Sequence, residues 1–297
     1  MVSFPNCKIN LGLNITAKRN DGYHNLETIF IPVAIKDALE IIHSDNTDEP
    51  LQYSSSGIPV IGNLSDNLCT KAYHLLKKDF PHLSSIKLHL HKAIPTGAGL
   101  GGGSADGAFT LKLLNTKFNL GLSSEQLMAY ALQLGSDCPF FIYKKPCFAT
   151  GRGEILEPIE INLSAYKFLI VNPGIRISTA QTFSQLTPAA PHISIKEAIK
   201  QPIHTWKESI KNDFEISVFK NFPEIKEIKD ELYRAGALYA SMSGSGSTVY
   251  GIFEKNTKIA YSFPQHYFIK ETILHSRYVF NLVCLVCLVW FTKSKKK

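Results

Sequence analysis

Pro95 to Ala108 reads PTGAGLGGGSADGA, and no other stretch restricts the fold of this 297-residue chain as strongly. Gly97, Gly99, Gly101, Gly102 and Gly103 remove Cβ atoms where Ile86 to His91, apolar at every second residue, gives way to a helical pattern through Phe109, Leu113 and Leu114. Backbone without side chains can approach a ligand closely. Ser104 falls where the helix is expected to start, so its hydroxyl, the last loop amides and the free N–H groups of the first turn would converge on one point. That arrangement suits phosphate. The stretch is read as a nucleotide phosphate cradle, since a flexible linker would not be bounded by a strand and a helix.

Better-known glycine motifs are excluded. Gly97, Gly99 and Gly102 have G-x-G-x-x-G spacing, but the dinucleotide-binding form needs a buried strand running straight into the loop and an acid about 20 residues on. Here Lys87, His89 and His91 alternate with Ile86, Leu88 and Leu90, as in a strand wet on one face, and Pro95 and Thr96 intervene. No lysine follows the glycines, which rules out the P-loop. A helix follows rather than a lysine-bearing strand, which rules out the protein-kinase loop.

The length allows two domains, expected at 1–157 and 158–272. The net charge of +7 is concentrated: Arg277, Lys293, Lys295, Lys296 and Lys297 lie in a tail without acids, leaving +2 for the rest. A nearly neutral body argues against a nucleic-acid partner. Cys7, Cys69, Cys138, Cys147, Cys284 and Cys287 are scattered and no secretory segment is read at the N-terminus, so reduced thiols in a cytoplasm are expected. The tail, 273–297, is apolar from Tyr278 to Phe291 except Asn281 and ends in lysines; its 14-residue apolar run is short of the roughly 20 that span a bilayer. Packing on the body, a surface anchor and an extension without selected function compete, and the extension is the reading taken. No stable membrane insertion is expected.

Lys8 to Thr16 alternates, with Ile9, Leu11, Leu13 and Ile15 on one face and Lys8, Asn10, Gly12 and Asn14 on the other. This predicts a half-buried strand with Lys8 and Asn10 side by side and room above Gly12. Taken alone, this segment is read first as a merely solvated strand face. Asp21-Gly22 marks a turn before Tyr23 and His24, and Ile29 to Ile35 and Leu39 to Ile42 are expected to continue the sheet. A helix through Leu68, Ala72 and Leu76 is expected to be capped at Ser65 or Asp66, and another at Ser123 with Gln126, ending at Gly135. Asp137 follows, beside Phe140 and Phe141, in a place that could be largely dry; a turn or capping role competes. Further helices are expected from Ser178 or Thr179, from Ser194 with Glu197 completing a capping box, and over Pro223 to Ala235. Ser243 to Ser247, SGSGS, joins two strand-like segments as a hairpin, although its small residues could also meet phosphate.

The spelling P-x-G-x-G-L-G-G-G-S resembles the loop of the GHMP small-molecule kinases. Lys8-Ile9-Asn10-Leu11-Gly12-Leu13, Asp21-Gly22-Tyr23-His24, Ser65-Asp66-Asn67-Leu68, Gly135 to Phe141, Gly151-Arg152-Gly153-Glu154, Asn172-Pro173-Gly174 and Ser243 to Thr248 extend the resemblance from Lys8 to about Lys270. Cys7 in place of alanine and Ala105-Asp106-Gly107 are departures that remove no reacting group. The resemblance implies an α+β, two-domain GHMP kinase fold, with a ribosomal S5 domain 2-like N-terminal domain, a ferredoxin-like C-terminal domain and the site between them. It implies ATP with Mg²⁺, with ATP contacts from Pro95, Gly97, Gly99, Leu100, Gly101, Gly102, Gly103, Ser104 and Asn67. Asp137 would be the base, with Lys8 favouring its ionised form and meeting the transferring phosphoryl. Ser104 is a possible metal ligand. Asp-Gly-Tyr-His with the Asp137 segment narrows the acceptor to CDP-methylerythritol of non-mevalonate isoprenoid synthesis, phosphorylated on its 2-hydroxyl and held by Asn10, Tyr23, His24, Thr179 and Phe183. Tyr23 and Phe183 would stack cytosine and His24 would read its edge. A catalytically silent nucleotide binder and a mevalonate-type kinase are the alternatives. A monomer or weak homodimer is expected.

Overall fold

A computed structural model describes residues 1–273 except 47, 61 and 185. The expectations for the tail, and for Cys284 and Cys287, lie outside the described residues apart from Ile273. After the short β1, Val2–Ser3, the alternating segment forms β2, Asn6–Lys18, paired antiparallel with β3, His24–Lys36. The turn between them uses Gly22 at φ 84°, and Asp21 accepts from the Tyr23 amide.

β2 is not half-wet. Ten successive residues from Asn6 are buried, although β2 ends its sheet. Its free edge is covered by the glycine loop, through Lys8 N–H to the Leu100 carbonyl at 2.9 Å, and by the second half of the chain, through Leu13 N–H to Lys211 and Asp213 N–H to Leu13. Gly12, at φ 69°, sits at a register shift, and a Cβ there would lie 2.6 Å from Ile210 and 2.9 Å from Ile195. The expected room above Gly12 is therefore filled by apolar side chains.

β4, Ala38–His43, does not continue the β3 sheet. It turns away at Asp37 and pairs with β6, Ile86–Lys92, while β5, Leu51–Gly57, runs parallel to β6 on its other side. β5 has no clear sequence signal, being rich in serine. β7, Cys147–Thr150, and β8, Ile155–Pro158, complete the other sheet, giving orders β1-β4-β6-β5 and β2-β3-β7-β8. α1, Leu68–Asp79, is capped by the Asn67 side chain on Cys69 N–H; Ser65 and Asp66 fall in a preceding 3-10 turn. α2, Gly102–Lys117, begins two residues before Ser104, with Gly101 in the left-handed region just ahead. α3, Ser124–Leu134, has the expected capping box, and α4, Cys138–Tyr143, follows Asp137. These helices bury Leu76, Leu111, Leu114 and Phe140 against Ile41, Leu88 and Leu90 of the first sheet.

The second half begins with β9, Tyr166–Asn172, then α5, Thr179–Ser184, α6, Ile195–Ala198, α7, Trp206–Ser209, α8, Phe214–Asn221, and α9, Pro223–Arg234. Ser194 caps α6, but Glu197 pairs with Lys200 instead of closing a capping box. β10, Tyr239–Met242, and β11, Val249–Glu254, form the expected hairpin, and β12, Phe268–Ile273, completes an antiparallel sheet of order β10-β11-β9-β12. α9 lays Ile225, Ile228 and Leu232 on that sheet, as its 3- and 4-residue spacing dictates. A middle core is shared by both halves: Ile9, Leu11, Ile29 and Ile31 pack with Phe168, Trp206, Tyr239 and Tyr250. The architecture is α+β, and the shared core fixes β2 between the halves.

Candidate active site

Lys8 projects from β2 towards the start of α4, where its Nζ lies 3.3 Å from Asp137 Oδ2. The lysine side chain is 4% exposed and the aspartate 35%, so the pair has a dry side and an open side. Asp137 is wetter than its aromatic neighbours suggest. It stands at the N-cap position of α4 but makes no capping bond, so of the two structural roles that compete with catalysis its carboxylate does not perform the cap. Lys8 Nζ also donates to Asn10 Oδ1 and lies 4.8 Å from the centre of the Phe30 ring. Asn10 Nδ2 donates to Thr28, whose hydroxyl donates to the Gly12 carbonyl. The ammonium is thus held in one place by an amide, a ring and a carboxylate, and Thr28, which the sequence did not mark, orients the amide.

The loop glycines divide into two groups. At Gly99 a Cβ would lie 1.9 Å from the Ser243 carbonyl oxygen, at Gly101 2.9 Å from Phe141 and 3.2 Å from Lys8, and at Gly102 2.9 Å from Ile94. These three are required by protein packing, whereas the expectation assigned them to ligand space. Gly97 and Gly103 meet nothing within 4 Å and form the open face of the cradle. Ser104 is half-buried in the first turn of α2, Pro95 is half-buried at the loop's entry, and Leu100 is buried, offering the site only backbone. The SGSGS hairpin does touch the glycine loop. Ser243 Oγ accepts from Asn10 N–H at 3.1 Å and donates to the Gly99 carbonyl at 2.8 Å, and Tyr250 OH donates to the Asn10 carbonyl at 2.9 Å. One serine therefore ties β2, the loop and the second half together.

Beside Gly103 opens a cleft of about 430 Å³ lined by Tyr53, Val60, Asn67, Leu68, Thr96 and other residues. Asn67 is on its wall, but its side-chain amide is engaged by Cys69 N–H and Tyr53 OH. Deeper in the wall is a charged cluster not foreseen from sequence. Lys92 Nζ donates to Asp37 Oδ2 and, at 2.7 Å, to Asp106 Oδ2, all three residues being buried. Asp37 Oδ1 also accepts from the amides of Ala93 and Ile94, which lead into the loop. Burial pushes the Asp106 carboxyl well above the usual range against the pull of Lys92, and its Oδ1 has no hydrogen-bond partner. Burial alone would lower the Lys92 ammonium, but Asp106 and Asp37 outweigh it and hold it up.

Tyr23 is 54% exposed and carries the Arg152 guanidinium over its ring at 4.8 Å. His24 stacks on Phe183 at 5.0 Å and 20°. One face of Phe183 is thus taken by His24, and its ring meets Phe214 edge-on. Thr179 hydrogen-bonds Ser245 at 2.9 Å, placing α5 against the hairpin. Arg152, held through its backbone N–H and guanidinium by Glu154, is a cation the sequence reading left without a role. Among the described residues no group of three or more His, Cys, Asp or Glu side chains forms a metal cage.

Residues 67–145 match the family model described as GHMP kinases N terminal domain, and residues 194–267 that described as GHMP kinases C terminal. The 4-diphosphocytidyl-2-C-methyl-D-erythritol kinase of Bacteroides thetaiotaomicron is 58% identical over 254 residues, covering 86% of this chain and 92% of the relative. The protein of that name from Cytophaga hutchinsonii is 48% identical over 259 residues, covering 87% and 93%. A crystal structure of 4-(cytidine 5'-diphospho)-2C-methyl-D-erythritol kinase superposes with a TM-score of 0.69 at 30% identity, covering 84% of this chain and 89% of that one. A mevalonate kinase structure, at 16% identity and a TM-score of 0.64 over 86% and 92%, shares the fold alone.

Proposed function

The chain belongs to the GHMP kinases, and on that premise we propose that it moves the γ-phosphoryl of ATP to the 2-hydroxyl of 4-diphosphocytidyl-2-C-methyl-D-erythritol. The observation that carries the mechanism is the Lys8–Asp137 pair at 3.3 Å, in which the lysine is buried and the aspartate remains a third exposed. Asp137 takes the proton of the acceptor hydroxyl, and Lys8, held by Asn10, meets negative charge on the phosphoryl oxygens. The cradle of Gly97, Gly103 and Ser104 takes the phosphates, with the nucleoside in the neighbouring cleft.

The acceptor's cytidine end would occupy the ring cluster of Tyr23, His24 and Phe183. Arg152 is placed to meet its diphosphate, as a planar guanidinium suits phosphate. Magnesium with ATP is held largely by phosphate and water, so one hydroxyl donor fits the absence of an acidic cage among the described residues. Ser104 would be that ligand, and the ion would neutralise phosphate charge. Among the described residues no helix is long and apolar enough to cross a membrane, and we place the reaction in the cytoplasm, where the buried Cys7, Cys69, Cys138 and Cys147 stay as thiols. Coupled ADP release with CDP-methylerythritol and, separately, mevalonate tests the acceptor. Turnover with the first alone supports the reading; turnover with mevalonate alone ends it.

A further inference from the structure

A side-chain amide ends in an oxygen and a nitrogen of nearly the same shape, so packing cannot decide which of the two Asn10 turns towards Lys8; hydrogen bonds must. Both main-chain groups of Asn10 are held by the second half of the chain, its N–H by Ser243 and its carbonyl by Tyr250 OH. What is left to fix is the orientation of the amide. β2 carries an extra residue where the register passes from Leu11 opposite Ile29 to Leu13 opposite Thr28, and that residue is Gly12, whose carbonyl accepts from the Thr28 hydroxyl. Between those two oxygens there is one proton, and it belongs to the threonine. Thr28 can then only accept from Asn10, so the group facing it at 3.0 Å is Nδ2 and the group facing Lys8 is Oδ1. The reverse orientation would set Oδ1 against a hydroxyl oxygen with no proton between them, and an N–H against the Lys8 ammonium. All three side chains are buried, so water relieves neither repulsion.

We infer that Thr28 is a positioning residue for phosphoryl transfer: anchored on the bulge carbonyl of Gly12, it locks the Asn10 amide with its oxygen towards Lys8 and so holds the ammonium beside Asp137. This rests on Lys8 and Asp137 being the reacting pair. Thr28 is fully buried and acts through Asn10, not on a substrate. The bulge is itself braced by the second half. Ile195 and Ile210 fill the space over Gly12, and Glu27, next to Thr28, accepts from the Ser194 hydroxyl and the Ile195 N–H at the start of α6.

The test is single-turnover phosphoryl transfer and ATP-analogue affinity in Thr28→Val, which keeps the branched shape and loses the hydroxyl, in Thr28→Ser, in Asn10→Ala and in Asn10→Ala with Thr28→Val. The expected result is a rate lowered about tenfold in Thr28→Val, as for a buried donor left without its acceptor, with nucleotide affinity unchanged and the rate recovered in Thr28→Ser. On the Asn10→Ala background the valine costs less than about twofold, because Thr28 then has nothing to orient. Thr28→Val within about twofold of wild type, Thr28→Ser as slow as Thr28→Val, or the full loss repeated without Asn10 overturns the proposal. A second readout needs no turnover: solvent exchange of the Asn10 side-chain protons, followed by nitrogen-15 NMR and identified by their absence in Asn10→Ala. The proton held at Thr28 is expected to exchange slowly in wild type and Thr28→Ser, and more than about tenfold faster in Thr28→Val. A wild type without a slow Asn10 proton overturns the proposal even where Thr28→Val does not fold. Slow exchange in a wild type that transfers no phosphoryl to CDP-methylerythritol supports the amide lock and ends the proposed acceptor.

Discussion

Two lysines meet aspartates on either side of the glycine loop, and water reaches only one of the two groups. Lys92 is closed in with Asp37 and Asp106, and Asp37 also takes the amides of Ala93 and Ile94 just before the loop. Lys8 has the same chemistry, but Asp137 remains a third exposed and makes no cap. A sealed ion cluster has no access to a substrate proton; it can only hold the backbones it joins, here β6, α2 and the turn into β4. An ion pair with one open side can exchange its partner for a substrate hydroxyl. What separates a structural lysine–aspartate group from a chemical one is therefore the solvent side of the carboxylate, not residue type.

The largest effect on stability is expected from Lys92→Met. It leaves Asp37 and Asp106 buried without their cation, and losing one partner of a buried ion pair costs about 3–5 kcal/mol. Urea unfolding measures it, and a cost below about 1 kcal/mol would break the comparison, because the cluster would then not be holding the loop. Next comes Gly99→Ala. Its Cβ would press on the Ser243 carbonyl at a φ of 76°, so affinity for a non-hydrolysable ATP analogue should fall more than about tenfold by calorimetry. Unchanged affinity would mean that the loop and hairpin can part freely.

Ser243→Ala is intermediate. It removes the donor to Gly99 and leaves Asn10 N–H buried without a partner, at a cost of about 1–3 kcal/mol in unfolding free energy. A fall in turnover with no loss of stability would instead place Ser243 with the Lys8 pair. The smallest effect is the pH dependence of Asp106. Its carboxyl is raised in the folded state, so the folded protein holds that proton more tightly than the unfolded chain. This contribution is fully present below about pH 4, the unfolded carboxylate value, and is lost as pH rises towards the folded value, by at most about 1.4 kcal/mol per pH unit. Wild type should therefore lose stability relative to Asp106→Asn as pH rises across that window; parallel curves would show an Asp106 with an ordinary carboxyl.

The cleft pair was legible in the sequence because its residues carry local signals: strict alternation puts Lys8 beside Asn10, and Asp137 follows a helix stop and precedes two phenylalanines. The sealed cluster was not, since Asp37, Lys92 and Asp106 lie in a turn, a strand and a helix distant in sequence and each looks locally like a solvated charge. The burial of β2 is not legible for a related reason. Alternation describes a strand's own faces, while the coverage of its polar face and free edge comes from Leu100, Ile195, Ile210 and Lys211, which are distant in sequence. The glycines were recognised as a group, but which of them face ligand and which face Ser243, Phe141 or Ile94 depends on packing that no spacing encodes. His24 stacking on Phe183 joins the two halves of the chain and was likewise invisible.

The contrast between a chemical Asp137 and a structural Asp106 is tested most directly by single-turnover phosphoryl transfer in Asp137→Asn, with unfolding free energy and ATP-analogue affinity determined on the same sample. The expected result is a rate lowered by about 10² to 10⁴, the range for losing a general base, with stability and nucleotide affinity unchanged. A rate within threefold of wild type, or a loss of stability comparable to that of Lys92→Met, would contradict it.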